Sequence, residues 1–429
     1  METPLTKNIR LDGLPTDLAA YVANGGYDAV RKTIGKSTPH DVIEVVKESS
    51  LKGRGGAGFP TGMKWSFVPA ANDEDKGHRY LVANADEMEP GTFKDRLILE
   101  HDPHQLLEGM ILAAYAIAAD VGYIFIRAEY HVATQRLRAA IEAAKQKGYL
   151  GKNILGSDYS LEIYVHSSAG RYICGEETAL LNSLEGKRAI PRAKPPFPQV
   201  SGLFGRPTIV NNVETLCNVT HIVANGADWF KSLGLGEDAG TKLFGASGRV
   251  KKPGCWELPM GTSIREILER HAGGMQDGYG FKGLLPGGAS TDFLVAEHLD
   301  LPMEYDAIMK AGSRMGTGTM IILDDKTCPV AMVANLEKFF ARESCGFCTP
   351  CREGLPWVYK VLTDIEAGNG EAGDLDVLAR QGKFIGAIGN THCAHAPGAI
   401  EPLSSALKYF ADDFNTHIEA KRCPYGGSR

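Results

Sequence analysis

Three cysteines spaced two residues apart, in Glu343-Ser-Cys345-Gly-Phe-Cys348-Thr-Pro-Cys351-Arg-Glu-Gly, constrain this chain more than any other feature. One short loop with that spacing wraps three thiolates around a corner of an iron–sulfur cube. A [4Fe–4S] cluster needs a fourth thiolate, and Cys393, in Asn390-Thr-His-Cys393-Ala-His-Ala-Pro, is the best placed to supply it. It lies in a loop before the last helical stretch, so an antiparallel helical pair returns it to the first three. Zinc is the rival ion, but zinc sites more often draw on two separate Cys or Cys/His pairs. His392 and His395 flank Cys393 and are expected to be loop or supporting residues. Cys174, Cys217, Cys255 and Cys328 lie in apolar or strand contexts and read as buried thiols, and Cys423 as an exposed, unligated one. Nine cysteines in 429 residues are too sparse for a disulfide scaffold.

Charge and composition narrow the class. With 46 Lys+Arg against 52 Asp+Glu the net charge is −6, and there are no basic blocks, so nucleic-acid binding is not expected. Glycine supplies 50 residues, an excess over the roughly 7% usual in proteins, with no collagen-like period. That excess points to tight turns and close backbone approaches. The longest apolar run, Met110 to Ala119, falls well short of the ~20 residues a bilayer span needs and reads as a buried helix. Direct membrane contact is therefore not expected. The opening Met1-Glu2-Thr3-Pro4 carries neither a basic nor an apolar leader region, so we do not expect secretion.

The spacing of apolar residues predicts an α/β chain of three parts. Residues 1–235 alternate strand-like runs (80–84, 123–126, 161–165) with helix-like ones (105–119, 132–145, and one starting near Glu176). That alternation predicts a mostly parallel, Rossmann-like sheet with ligands beyond the strands' carboxyl ends. Residues 236–326 read as a smaller β-grasp unit: a hairpin over 242–258, a helix from Thr262 with Ser263 and Glu266 at capping-box spacing, and strands at 284–285 and 320–323. Residues 327–429 predict a four-helix bundle, with Val333, Leu336 and Phe340 on one apolar stripe, Trp357, Val361 and Ile365 on another, and Leu403, Leu407 and Phe410 on a third.

Other constellations fall in the first part. Lys52-Gly53-Arg54-Gly55-Gly56-Ala57-Gly58-Phe59-Pro-Thr-Gly62-Met-Lys64-Trp65 holds a Gly-x-Gly-x-x-Gly run, whose bare backbone N–H groups suit a phosphate, with Arg54 and Lys64 adding charge. A flexible turn is the plain alternative, because no clear strand precedes the run. Asn84-Ala-Asp86-Glu87-Met-Glu89-Pro90-Gly91-Thr92 and Tyr172-Ile-Cys174-Gly175-Glu176-Glu177-Thr178 put carboxylates at two strand ends, followed by Asn211-Asn212-Val-Glu214-Thr215. Carboxylates there accept from ribose hydroxyls and disfavour an extra ribose phosphate. A solvated acidic rim, a hydrolase pair and a Mg²⁺ site are the competing readings. Phe59, Phe67 and Phe197, the last in Lys194-Pro-Pro-Phe197-Pro198, are candidates to stack on a ring system.

Taken in order, the glycine loop, the Asn84 and Tyr172 segments, Pro207-Thr-Ile-Val-Asn-Asn-Val-Glu-Thr-Leu216 and the cysteine run resemble one family, the NADH-binding flavoprotein subunits of bacterial NADH:quinone oxidoreductase, respiratory complex I. The resemblance runs from about residue 25 to about residue 415 and meets every motif position. It implies a Rossmann-like FMN and NADH domain, a ubiquitin-like domain and a helical bundle carrying one [4Fe–4S] cluster. It implies that FMN is held by Gly53, Arg54, Gly56, Lys64, Asn84, Asp86, Glu176, Asn211 and Asn212, with Glu87 and Gly175 in the same segments. NADH would stack near Phe59, Phe67 and Phe197 and meet Glu89, Tyr172 and Glu177; Cys345, Cys348, Cys351 and Cys393 would ligate the cluster. The implied enzyme is an NADH dehydrogenase in which the flavin carries the hydride and no side chain acts as acid or base. The implied partners are a two-iron thioredoxin-like subunit and the large iron–sulfur subunit of the peripheral arm, on the cytoplasmic face of the membrane. Related subunits serve NAD(P)-linked hydrogenases and formate dehydrogenases; many carry a two-iron region in front or a ferredoxin-like region behind, and neither pattern is read here. A non-enzymatic zinc or scaffold module is the reading from another class.

Overall fold

In the computed structural model the described residues are 2–10, 12–70 and 77–426. They form two compact units: Met1–Met88, Phe93–Leu243 and Glu257–Gly261 make the first, and Glu89–Thr92, Phe244–Trp256 and Thr262–Arg429 the second.

Three short helices open the first unit, α1 (Leu18–Ala23), α2 (Asp28–Thr33) and α3 (Pro39–Glu48). Thr38 and Asp41 close a capping box at the start of α3, whose Val42 and Val46 face inward. The glycine loop follows α3 and leads into α4 (Thr61–Ser66), so it joins two helices and is not a strand-to-helix turn. Next come β1 (Tyr80–Ala85), α5 (Lys94–His101), α6 (Pro103–Ala116), β2 (Val121–Ile126), α7 (His131–Gln146), β3 (Glu162–Ser167), α8 (Glu177–Leu184), α9 (Pro198–Ser201), β4 (Thr208–Asn212), α10 (Val213–Asn225) and α11 (Ala227–Ser232). The expected buried helix is α6, which stops at Ala116 as Ala118 turns to a left-handed φ of 54°.

Strand order is β3-β2-β1-β4, with every neighbouring pair parallel. The apolar run of β1 is buried, as a strand covered on both faces requires. The chain builds β1, β2 and β3 outward in one direction and then returns to place β4 on the other side of β1. That reversal makes a switch point between β1 and β4, where open parallel sheets leave a crevice at the carboxyl ends. No strand was expected at Thr208–Asn212. Its Thr-Ile-Val-Asn-Asn carries little apolar pattern, and it becomes a strand by pairing in register with β1.

A mixed sheet of order β6-β5-β8-β7 follows, from β5 (Thr241–Gly248), β6 (Gly254–Pro259), β7 (Phe281–Leu285) and β8 (Thr319–Asp324). Its central pair β5/β8 is parallel and β7/β8 antiparallel, the arrangement expected of a β-grasp sheet. Ser263 caps α12 (Ile264–Glu266) by accepting from the Glu266 N–H, and α13 (Tyr305–Lys310) precedes β8. The helical end has α14 (Pro329–Glu343), α15 (Thr349–Glu366), α16 (Asp374–Gly386) and α17 (His395–Tyr409), with a fifth, α18 (Ala411–Ala420), beyond the four expected. One stripe differs from expectation. Leu355, Val358, Leu362 and Ile365 form the buried face of α15, and Trp357 is half-exposed.

Candidate functional site

Side chains at the carboxyl ends of β1 and β4 are spent on holding neighbouring segments at the crevice. Asn84 Nδ2 donates to the Gly175 carbonyl at 2.9 Å, and Asn84 Oδ1 accepts from the Asp86 N–H at 3.2 Å. This ties the end of β1 to the turn before α8. Asn211 Oδ1 accepts from the buried Trp65 indole at 2.8 Å, which anchors α4 on the end of β4. Asn212 caps α10 by accepting from the Glu214 N–H, and its amide donates to Asp95 at 2.6 Å.

The glycine loop closes on itself, with the Gly53 N–H donating to the Phe59 carbonyl at 2.9 Å. It lies on the end of β4, where a Cβ on Gly55 would sit 3.1 Å from Asn212 Cβ. Gly56 and Gly58 take φ of 129° and 67°, conformations that side-chain-bearing residues rarely adopt. The loop is thus a backbone surface pressed against the crevice, and small residues set its distance.

Charge is distributed differently from expectation. Arg54 does not face the loop mouth: its guanidinium is fully buried and donates to the Ala239 and Thr241 carbonyls. Lys64 is the cation near the crevice, 2.9 Å from Glu177 Oε2 and donating to the Val210 carbonyl. Lys194 pairs with the same carboxylate at 2.9 Å and with Glu176 at 3.5 Å. Burial alone would raise the Glu177 carboxyl, but Lys64 and Lys194 outweigh it and hold it at about 2. Glu176 is the N-cap of α8, accepting from the Thr178 and Ala179 N–H groups. Glu87 is also consumed internally. Its carboxylate accepts from the Asp95 and Arg96 N–H groups at the start of α5 and from the Tyr130 hydroxyl.

Phe59 and Phe67 are half-exposed with ring centroids 6.4 Å apart, and Phe197 is half-exposed just before α9. Tyr172 and Gly175 lie in the single 3₁₀ turn that leads to α8. Glu89 belongs to the second unit, where it accepts from the Ser290 N–H at 2.6 Å.

One element under the crevice was not anticipated. Glu214 is fully buried and pairs with Lys94 at 2.8 Å and Lys242 at 3.1 Å, also accepting from the Leu243 N–H. Burial pushes its carboxyl up, but Lys242, Lys94 and Arg54 outweigh this and leave it at about 2. Glu214 stood in a motif, yet no local pattern says that lysines 94 and 242 converge on it.

The cysteine site lies in the second unit. Cys345 sits in the turn between α14 and α15, where Gly346 takes a φ of 77°; Cys348 is the N-cap of α15 and Cys351 lies buried in its first turn. The Ser344 hydroxyl is 3.1 Å from Cys351 Sγ. Burial and then the neighbouring Cys345 and Cys348 thiols push the Cys351 thiol up to about 11. The segment carrying Cys393 meets this turn: the His392 N–H donates to Cys348 Sγ at 3.3 Å, and the Phe347 and His392 rings lie 4.9 Å apart. His395 starts α17 and is turned to the Phe340 carbonyl at 2.9 Å, a supporting residue. Three thiols on the turn into α15, with a fourth on the segment just before α17, make a donor set that fits a four-thiolate cluster.

Two other cysteines differ from expectation. Cys255 is only partly buried, and Cys423, expected exposed and unligated, is half-buried in a group with Cys328, Glu366 and His417.

A switch-point crevice lined by backbone and carboxylates, with a thiol site in a helical bundle, defines a flavin-binding iron–sulfur class of protein, and sequence comparison agrees. Residues 46–221 match the Nuo51 FMN-binding domain, 246–293 the SLBB domain, and 331–417 the iron–sulfur binding region of NADH-ubiquinone oxidoreductase F. The F subunit of NADH-quinone oxidoreductase from Escherichia coli (strain K12) is 56% identical over 416 residues, covering 97% of this chain and 93% of that one. The F 2 subunit of the Rhizobium meliloti enzyme is 53% identical, covering 95% and 96%. The chain belongs to the family of NADH-quinone oxidoreductase F subunits. Among solved structures, an NAD⁺-reducing [NiFe]-hydrogenase in the H₂-reduced state matches with a TM-score of 0.80 at 36% identity over 96% of this chain. The match spans 66% of the hydrogenase chain, so this protein corresponds to about two thirds of it.

Proposed function

We propose that this chain is the electron-entry subunit of NADH-quinone oxidoreductase, an NADH dehydrogenase that works with FMN and one [4Fe–4S] cluster. The observation that carries the reading is the glycine loop seated on the end of β4 beside the crevice at the β1/β4 switch point. When bound, FMN takes a hydride from NADH and yields electrons one at a time to the cluster.

The chain's own residues bind and orient. Backbone N–H groups around Gly56, with Lys64, hold the flavin phosphate, while the Gly53 N–H closes the loop onto Phe59; Asn84, Asp86, Gly175, Glu176, Asn211 and Asn212 frame the crevice. Arg54 and Glu87 serve from behind, Arg54 by fixing the loop through buried backbone contacts and Glu87 by fixing the start of α5. Phe59, Phe67 and Phe197 offer aromatic faces for the nicotinamide side, and Tyr172, Glu89 and Glu177 its polar contacts. Glu177 is ionised throughout the physiological range and accepts from ribose hydroxyls; because Lys64 and Lys194 offset its charge, the preference for NADH over NADPH rests on that hydrogen bond. Cys345, Cys348, Cys351 and Cys393 hold the cluster.

The chain is one subunit of a multi-subunit enzyme, and we assign as its neighbours a two-iron thioredoxin-like subunit and the large iron–sulfur subunit. Among the described residues no helix is long and apolar enough to cross a membrane, which is consistent with attachment to the inner face through those partners. The three family matches each fall within one of the parts 1–235, 236–326 and 327–429, which supports that division.

An anaerobic absorbance titration of the purified, cofactor-loaded chain tests the reading. NADH should bleach the flavin and iron–sulfur bands, and NADPH should leave them unchanged. A chain that takes up neither FMN nor iron refutes it. The hydrogenase neighbour supports a second reading, the diaphorase subunit of an NAD(P)-linked hydrogenase or formate dehydrogenase; equal bleaching by NADPH would favour that one.

A further inference from the structure

The helical end carries a second cluster of ligand-type side chains that the electron-entry reading does not use. Cys328, Glu366, His417 and Cys423 each offer one donor atom, and those atoms all lie within 4.8 Å of one another. Cys328 Sγ is 3.1 Å from Glu366 Oε2 and 3.3 Å from His417 Nε2, and the last two are 3.0 Å apart. Zinc bonds of about 2.0–2.3 Å to nitrogen, oxygen and sulfur put tetrahedral donors roughly 3.3–3.8 Å apart. Cys328, Glu366 and His417 are therefore already drawn to about the size of such a shell, with the Cys423 sulfur within 4.8 Å of them.

Three features make this a built site. His417 is fully buried, and its Nδ1 is engaged by the Asp413 carbonyl at 2.6 Å, so Nε2, which faces Glu366 Oε2 at 3.0 Å and Cys328 Sγ at 3.3 Å, is the nitrogen a metal would take. The segment carrying Cys423 is pinned on both sides: Lys421 takes a left-handed φ of 51° and Tyr425 donates to the Asp413 carboxylate, which also pairs with Lys282 at 2.8 Å. The four donors come from separate places in the chain, the N-cap of α14, the last residue of α15, α18 and the segment after it.

The geometry points to a structural zinc-type site at Cys328, Glu366, His417 and Cys423, closing the C-terminal segment onto the start of α14 and the end of α15. All four positions are protein ligands, so no coordination position stays open for substrate or water. On binding, each thiol gives its proton to solvent and each sulfur forms one bond to the metal. With His417 neutral, two protons leave as two positive charges arrive and the site keeps its net charge; a proton on Nε2 leaves as a third. No electron moves. The cysteines of the turn at 345–351 lie at the other end of α15, roughly 25 Å away at 1.5 Å per residue. The two sites are thus chemically separable, and this inference does not depend on the flavin reading.

The full chain, with its iron–sulfur cluster assembled, is loaded anaerobically with Zn²⁺ under reducing conditions, desalted against a weak chelator and assayed for zinc and iron. A parallel load with Co²⁺ reads the site by thiolate charge-transfer and tetrahedral ligand-field bands. About one zinc per chain should be retained beside the cluster iron. Cys423→Ser should weaken zinc retention at least about 10-fold with iron unchanged, and Cys345→Ser should lose iron with zinc unchanged. Cys423 lies beyond the last helix, so its replacement leaves the fold testable where His417→Gln fails to fold. A wild-type chain that keeps no zinc, zinc kept equally by Cys423→Ser, or a Cys328–Cys423 disulfide persisting under those reducing conditions would each overturn the assignment.

Discussion

Lys64 and Glu177 form a part-buried ion pair, Nζ to Oε2 at 2.9 Å, that joins the helix after the glycine loop to the first residue of α8. Lys194 holds the same carboxylate from the Pro-rich segment before α9. One carboxylate thus positions two cations beside the crevice, and the two partners should separate in their effects.

If Lys64 holds the flavin phosphate as proposed, Lys64→Gln should lower FMN affinity about 10- to 100-fold, corresponding to roughly 1.5–3 kcal/mol. Glu177→Gln should leave FMN content near normal and raise the KM for NADH. Fluorescence titration with FMN and steady-state kinetics separate the two. Equal effects of both variants on FMN retention would contradict the assigned roles.

The Glu177 carboxyl is held at about 2, below its ordinary value near 4.5. A depressed carboxyl contributes stability that is present above the ordinary value and is lost as pH falls through about 2. The melting temperature of the wild type should therefore exceed that of Glu177→Gln at pH 6, with the gap narrowing from pH 4.5 downward. Thermal melts across pH 2.5–6 measure that difference.

Glu214 balances Lys94 and Lys242 where all three are buried. Glu214→Gln leaves Lys242 without its anion and Lys94 with Asp95 alone, at 2.7 Å, and should cost about 3–5 kcal/mol, the usual effect of breaking a buried pair from one side. Adding Lys242→Met should recover part of that loss, since it removes the unpaired cation while Lys94 keeps Asp95. Denaturant titration of the single and double variants reads the coupling.

Two glycines near the loop should respond differently to a methyl group. A Cβ on Gly62 would lie 2.5 Å from the backbone of Lys47, so Gly62→Ala must push α4 off α3 and should cost about 1–3 kcal/mol. On Gly55 the Cβ meets Asn212 Cβ at 3.1 Å, which a small shift relieves. Gly55→Ala should lower FMN affinity several-fold while moving the melting temperature little.

Cys393→Ser should abolish [4Fe–4S] assembly and spare FMN binding. Its neighbour His392 already hydrogen-bonds Cys348 Sγ, so the replacement removes a ligand without removing the segment from the site. Iron content and the low-temperature EPR signal of the reduced protein, set against flavin content, provide the measure.

Local pattern carried far in this chain. Strands β1 and β2 were legible as short, mostly apolar runs, β3 by the Ile-Tyr-Val at its centre, and α6 because its apolar run is as long as a buried helix needs. The cysteine spacing announced its chemistry because three thiolates on one turn depend only on neighbours in sequence. Strand β4 was not legible, because Thr208–Asn212 takes its form from pairing with β1. The buried face of α15 was misplaced onto Trp357, since an aromatic residue reads as core until its direction is known.

Sequence by itself thus determined most of the element types, the order of the motifs and the family they belong to. Tertiary structure decided which way each side chain points and what it meets. Arg54 turns inward, where its Nη2 donates to the Ala239 and Thr241 carbonyls, nearly two hundred residues away. Glu87 is absorbed by the start of α5, and Cys423 is drawn in beside Cys328, His417 and Glu366. Hydrogen bonds and ion pairs between distant segments leave no periodic trace, because their energy depends on distance in space and not on position along the chain.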